Sequence, residues 1–204
     1  MSERRSLPQV KSPDWLEGWK TANIVVYPKR VSIGFLQMYP YTSFGPYVVD
    51  EFARCLRTAH AAPYETCHCG FNAFVEEQNA RAYRNDMLTK RIPKIMTANL
   101  VMLRVGLAGR VIAGTYKNED DWTYRGQRQR IDSVFVPPSC AKKSCRLPAM
   151  WMGVLEGDEQ PDYKAGEYFY LRPLCVEHIT EKGIAISLDE CTAILKVPFL
   201  WDAQ

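Results

Sequence analysis

Residues 55–70 read CLRTAHAAPYETCHCG: Cys55, four residues, His60, six residues, then Cys67, His68, Cys69 and Gly70. This stretch holds three of the seven cysteines and two of the three histidines in a chain of 204 residues. Soft thiolate and imidazole donors at such spacings suit a tetrahedral zinc ion. The expected ligands to Zn2+ are Cys55, His60, Cys67 and Cys69. Cys67 and Cys69 would face opposite sides of a flat strand, but a tight turn points both sulfurs inward, and Gly70 supplies the permissive backbone that turn needs. Cys55 is expected near the end of a helix, which Ala61-Ala62-Pro63 terminates so that His60 can face the same ion. Four protein ligands leave no position for water, which makes such a site structural rather than catalytic.

Three alternatives stand beside this reading. The thiols could be buried without metal, Cys67 and Cys69 could form a redox pair, or Cys140 and Cys145 could replace Cys55 and His60 as ligands. His68 is expected to point away from the turn interior. Cys175 and Cys191 lie in apolar surroundings and read as core thiols.

Outward from the cluster the pattern is that of an α+β protein, mostly antiparallel sheet with two or three helices and one zinc-stabilised knuckle. Residues 1–13 read as a flexible arm, 14–138 as the zinc-stabilised domain and 139–204 as a β-rich extension packed on it. Asn23–Tyr27 and Val31–Met38 suggest a hairpin around Pro28-Lys29-Arg30. Val48, Val49, Phe52 and Leu56 recur at helical spacing, predicting a helix from Tyr47 to near His60. A second helix is expected after Gly70, with Phe71, Phe74, Val75 and Ala82 near one face. Strands are expected at Asn99–Val105, Gly109–Tyr116, Gln127–Val136, Ala149–Leu155, Tyr168–Val176 and Ile184–Ser187. Ser187 and Glu190 have capping-box spacing and predict a last helix.

The shared pattern Cys…His-x-x-Pro…Cys-x-Cys-Gly-φ-x-Ala is carried here by Cys55, His60, Pro63, Cys67, Cys69, Gly70, Phe71 and Ala73. Gly109-Arg110-Val111 and a strand with Arg125, Arg128 and Arg130 follow it. Over roughly residues 50–138 the chain resembles small proteins of actinobacteria and their phages. That resemblance implies the ligand set with Cys55 and His60 over the one with Cys140 and Cys145. It implies no activity.

Composition bounds the function classes. At 47% hydrophobic and 24% charged the chain can bury a substantial core. Met1–Val10 lacks an apolar secretory core, so a cytoplasmic setting with reduced thiols is expected. The uncharged run Val31–Val49 contains Pro40, Pro46 and three tyrosines, which argues against a membrane span. Charge is uneven: residues 81–146 carry 14 basic and 5 acidic side chains, whereas 147–204 carry 4 basic and 10 acidic. Arg81, Arg84, Lys90, Arg91, Lys94, Arg125, Arg128 and Arg130, with Trp122 and Tyr124 beside the last three, are candidates for nucleic-acid contact.

The motifs G-x-S-x-G, H-E-x-x-H and G-x-G-x-x-G are missing. His178 near Cys145 or Cys175 could form a nucleophile pair, but reads more simply as a structural histidine. The expected function is that of a zinc-stabilised binding or accessory protein acting on a protein partner through the aromatic loop Phe35–Tyr47 or the acidic C-terminal part. The alternatives are a nucleic-acid-binding factor using the basic 81–130 face and an enzyme of unrecognised class.

Overall fold

The computed structural model describes residues 9–27, 32–37, 47–55, 59–64, 67, 69–89, 100–115, 122–142, 144–155, 168–179 and 184–203. The described residues form mostly antiparallel sheet with two helices. It divides into two compact units, one from Met1–Lys20, Asp50–Ala82 and Arg104–Asp132, the other from Thr21–Val49, Tyr83–Leu103 and Ser133–Gln204. The units are thus interleaved along the chain, whereas the sequence reading divides it between residues 138 and 139.

In the first unit the frame is β6 (Trp122–Val136), against which two short strands pair antiparallel. One is β3 (Asp50–Phe52), with Phe52 opposite Arg128, and the other is β4 (Phe71–Phe74), with Phe71 opposite Gly126. The helix expected from Tyr47 is therefore replaced by a strand at its centre. Val48 is 54% and Phe52 59% exposed, so these two of the helically spaced apolar residues define no buried face. Asp50 instead holds Arg128 across the ladder in a two-pronged ion pair, Oδ1 to Nε at 2.9 Å and Oδ2 to Nη2 at 2.6 Å. Phe71 and Phe74, expected on the second helix, form β4; the helix α1 starts later and spans Glu77–Thr89.

β1 begins at Gln9 and runs to Tyr27, so residues 9–13, expected in the arm, already belong to a strand. Trp19 of β1 pairs with Phe74, and Gly18 lets the strands approach closely. A side chain at Gly18 would come within 3.0 Å of Ala73 Cβ. The two strands expected on either side of Gly106–Ala108 are one, β5 (Leu100–Thr115). Gly109 takes a positive φ of 77° inside it, and Gln127 Oε1 fills the space where a Cβ would sit. The glycine marks a kink in a continuous strand rather than a turn.

In the second unit the end of β1 pairs with β2 (Ser32–Gln37) from Tyr27↔Ser32 to Ala22↔Gln37, the expected hairpin register; residues 28–31 lie outside the described residues. β1 also pairs with β8 (Phe169–Leu174), β8 with β7 (Trp151–Gly153), and β7 with β9 (Ala185–Ile186). Ala22 to Val26 are buried without a break, as expected of a strand covered on both faces. α2 (Leu188–Leu195) starts with the reciprocal Ser187–Glu190 capping box and stops at Lys196 in the left-handed conformation. A strand that sequence reading missed, β10 (Phe199–Trp201), pairs parallel with the end of β6. Its Phe199 packs 6.5 Å from the Phe35 ring, which stacks at 6.0 Å on Tyr47. Phe35 and Tyr47 are buried, which removes both ends of the expected aromatic binding loop; residues 38–46 lie outside the described residues. No helix among the described residues is long and apolar enough to cross a bilayer.

Candidate metal centre

Both ends of the 53–70 segment are held by the same strand. β3 leaves β6 opposite Arg128 and β4 returns to it opposite Gly126, two residues further back. Whatever lies between must therefore form a loop closed on itself. Ala53 donates its N–H to Gln127 O at 2.8 Å, and a bridge between Arg54 and Ala61 brings His60 back beside Cys55. A turn follows in which Cys67 N donates to Tyr64 O at 3.1 Å. Gly70 ends the loop with φ 108°, and a side chain there would meet Pro63 Cβ at 2.9 Å and Gly126 O at 3.2 Å. Only glycine fits that backbone and that space.

The loop gathers Cys55, His60, Cys67 and Cys69, whose donor atoms all lie within 4.8 Å of one another. Cys55 Sγ and Cys67 Sγ are 3.8 Å apart, and Cys69 Sγ lies 3.9 Å from His60 Nδ1. Two sulfurs each about 2.3 Å from a tetrahedral zinc are themselves about 3.8 Å apart, so the sulfur spacing is that of a coordination edge rather than a disulfide. His60 adds an independent sign. Its Nδ1 sits 3.2 Å from Ala61 O, while the buried Nε2 has no hydrogen-bond partner among the described residues. A buried acceptor without a donor is costly unless something else meets its lone pair. The ring also stacks on Tyr64, centroids 4.7 Å apart. His68 lies outside the described residues.

Burial, helped by the neighbouring Cys67, pushes the Cys69 thiol up to about 11. A thiol raised in this way resists ionising by itself, and a divalent cation inverts that balance by binding the thiolate. Arg125 reaches into the same loop and donates from Nη1 to Tyr64 O at 3.4 Å and to Cys67 O. Burial lowers its pKa, against the opposing influence of Cys69 and Cys67. Arg125 therefore clamps the loop that carries the four donors.

The other arginines considered for nucleic acid also face carboxylates of this chain. Arg81 Nε donates to Glu77 Oε1 at 2.7 Å, one helical turn away. Arg84 is buried against Asp202, Nη1 to Oδ2 at 2.9 Å. Arg128 pairs with Asp50 and lies between the rings of Trp15, at 5.1 Å, and Phe52, at 5.2 Å. Arg130 pairs with Asp132 at 2.8 Å and stacks 4.6 Å from Trp15. Lys90, Arg91 and Lys94 lie outside the described residues.

A second group comes together that sequence reading did not assemble: Cys140, Cys145, Cys175 and His178, again with donor atoms within 4.8 Å of one another. Cys140 and Cys145, weighed as replacements for Cys55 and His60, gather instead with Cys175 and His178. Cys175 is the buried core thiol expected, packed with Leu155 and Leu174, and β8 also delivers it to the loop that carries Cys140. The signal in the sequence was the pair of short spacings, Cys-x4-Cys and Cys-x2-His, each of ligand type but 30 residues apart. Cys191 is the core thiol expected, fully buried in α2, with burial pushing it up to about 12. Two Cys3His clusters thus stand ready to hold metal ions. Comparison of the chain with protein-family models, curated proteins and solved structures returns no match.

Proposed function

We propose that this is a zinc-stapled binding protein that acts by engaging another protein. The observation that carries the reading is the closed four-donor arrangement of Cys55, His60, Cys67 and Cys69, which leaves a zinc ion no open position for water or substrate. Metal in such a site holds a loop in shape, and the chemistry left to the molecule is that of its surface. Leu147 (39% exposed), Met150 (57%) and Val176 (63%) offer apolar area on the outside of the second unit. Exposed apolar area is what a protein partner covers, and methionine is among the side chains enriched in such contacts.

A second reading, nucleic-acid binding, draws on the Trp15–Arg128–Phe52 stack with Arg130 beside it. The carboxylates at Asp50 and Asp132 weigh against it, because they neutralise the arginines that would meet phosphate. Fluorescence anisotropy with mixed-sequence single-stranded DNA and RNA separates the two. The protein reading expects no salt-sensitive binding, whereas affinity that falls steeply from low to moderate salt overturns it. On the positive side, a Leu147→Glu, Met150→Glu, Val176→Glu variant should keep its metal and its fold but fail to compete with the wild-type chain for captured protein. Equal competition would remove this surface from consideration.

A further inference from the structure

We propose that Cys140, Cys145, Cys175 and His178 form a second structural zinc centre, filled independently of the one built by residues 55–69. Two short segments make it. The first is a knuckle after β6, in which Ser139 bridges Pro148 and Cys140 N donates to Leu147 O at 3.1 Å. Its tip turns through Ser144 at φ 69°, with Cys145 N donating to Lys142 O at 3.0 Å, so both sulfurs fall on the inside. The second is the turn leaving β8, where His178 N donates to Cys175 O at 3.1 Å and the ring folds back over the sulfur. Ala141 N to Pro173 O at 2.8 Å and Met150 N to Leu174 O at 2.9 Å tie the two segments together.

The donor spacings are those of a coordination shell. Cys145 Sγ and Cys175 Sγ lie 3.8 Å apart, and Cys140 Sγ is 3.5 Å from His178 Nδ1. A tetrahedral zinc places two sulfurs about 3.8 Å apart and a sulfur and an imidazole nitrogen about 3.6 Å apart. Cys175 Sγ is closer to Nδ1, at 3.1 Å, an edge that must lengthen on metal binding. Backbone amides also point at the sulfurs. Cys140 Sγ receives the N–H groups of Cys175 and Lys142, and Cys175 Sγ receives that of Glu177. Donors of this kind support thiolate ligands in the outer shell of a metal.

Neither simple packing nor nucleophilic chemistry accounts for all four side chains. An apolar role suits Cys140 and Cys175, which pack with Leu155 and Leu174, and Cys145, which packs against them, but it gives the half-buried His178 no reason to turn its Nδ1 onto the sulfurs of Cys140 and Cys175. A nucleophile paired with a base needs one sulfur beside the imidazole, and here three surround it. All four positions are protein donors, so the centre is closed and its role is to staple the 139–148 knuckle to the end of β8.

Zinc content of the purified full-length chain, after dialysis against a weak chelator, tests the proposal. Two zinc ions per chain are expected, one remaining in a Cys67→Ser, Cys69→Ser variant and one in a Cys140→Ser, Cys145→Ser variant. One ion per wild-type chain, or two still held after loss of Cys140 and Cys145, overturns it. Should either variant fail to fold, alkylation of the wild-type chain with iodoacetamide, read by peptide mass spectrometry, decides. Cys140, Cys145 and Cys175 should be protected until a strong chelator is added, and labelling of Cys145 at the same rate before and after chelation overturns the assignment.

Discussion

Gly70 and Arg125 show how much of the first metal loop rests on single positions. Gly70 combines a left-handed backbone with neighbours that leave no room for a Cβ. Gly70→Ala is therefore expected to destabilise the protein by about 1–3 kcal/mol, checked by urea unfolding, with a matching loss of metal affinity. Arg125 touches none of the donor atoms directly, yet its guanidinium holds the carbonyls of Tyr64 and Cys67. Arg125→Ala should weaken zinc binding about 10- to 100-fold, the usual effect of losing an outer-shell partner, measured against a chromophoric chelator. A change of less than twofold would mean that the loop holds its shape without the clamp. Cysteines divide the same way. Cys67→Ser should cost the first unit most of its unfolding cooperativity, whereas Cys191→Ser should cost only about 1 kcal/mol, because a serine in α2 can donate back to the Ser187 carbonyl. The convergence of Cys55, His60, Cys67 and Cys69 was readable at this scale because donors of matching chemistry sit within 15 positions. The role of Arg125 was not, since an arginine beside aromatic residues looks the same whether it meets phosphate or its own backbone.

Among the elements, β1 carries the most exposed test of electrostatics, because it buries a lysine. Lys20 is 3% exposed, and its ammonium donates to Gln129 Oε1 at 2.8 Å with the Phe71 ring 5.7 Å away. Burial lowers its pKa to about 7. A base with a depressed folded pKa binds fewer protons folded than unfolded between that value and its ordinary one. Stability contributed by this group therefore rises as pH increases from about 7 towards 10. Lys20→Met should flatten that slope, even though the unpaired Gln129 lowers stability at every pH. Urea midpoints at pH 7 and 9 for both chains read the difference, and parallel slopes would dismiss the lysine as the source.

The strand and helix boundaries teach a related lesson. Capping chemistry at Ser187 and Glu190 is local and was legible, and so was the β1–β2 hairpin. The helix expected from Tyr47 was not there, because pairing of β3 with β6 and the Asp50–Arg128 ion pair outweigh a weak periodicity. Gly109 misled for a physical reason as well: in sequence a glycine that kinks a strand is indistinguishable from one that turns it.

At the scale of the whole molecule, each compact unit holds one Cys3His set, residues 55–69 in the first and 140–178 in the second. Structural zinc typically contributes roughly 10–16 kcal/mol of binding free energy, comparable with the whole stability of a small domain. Strong chelation should therefore do more than release ions. Backbone amide exchange is expected to accelerate around residues 59–70, 139–148 and 175–179 before it does in β5. Uniform acceleration, or none, would contradict a role for metal in holding those loops.

What the sequence by itself determined were features whose partners are near neighbours: the 55–69 ligand run, the Gly70 turn, the Ser187 cap and the first hairpin. Tertiary structure alone decided the second cluster, the neutralisation of Arg84 by Asp202 at a separation of 118 residues, and the parallel docking of β10. The reason is the range of the forces. Short spacings constrain geometry directly, whereas Cys140 and Cys175 meet only because β7 and β8 pair in one register, and that register is set by burial along the whole sheet rather than by the cysteines.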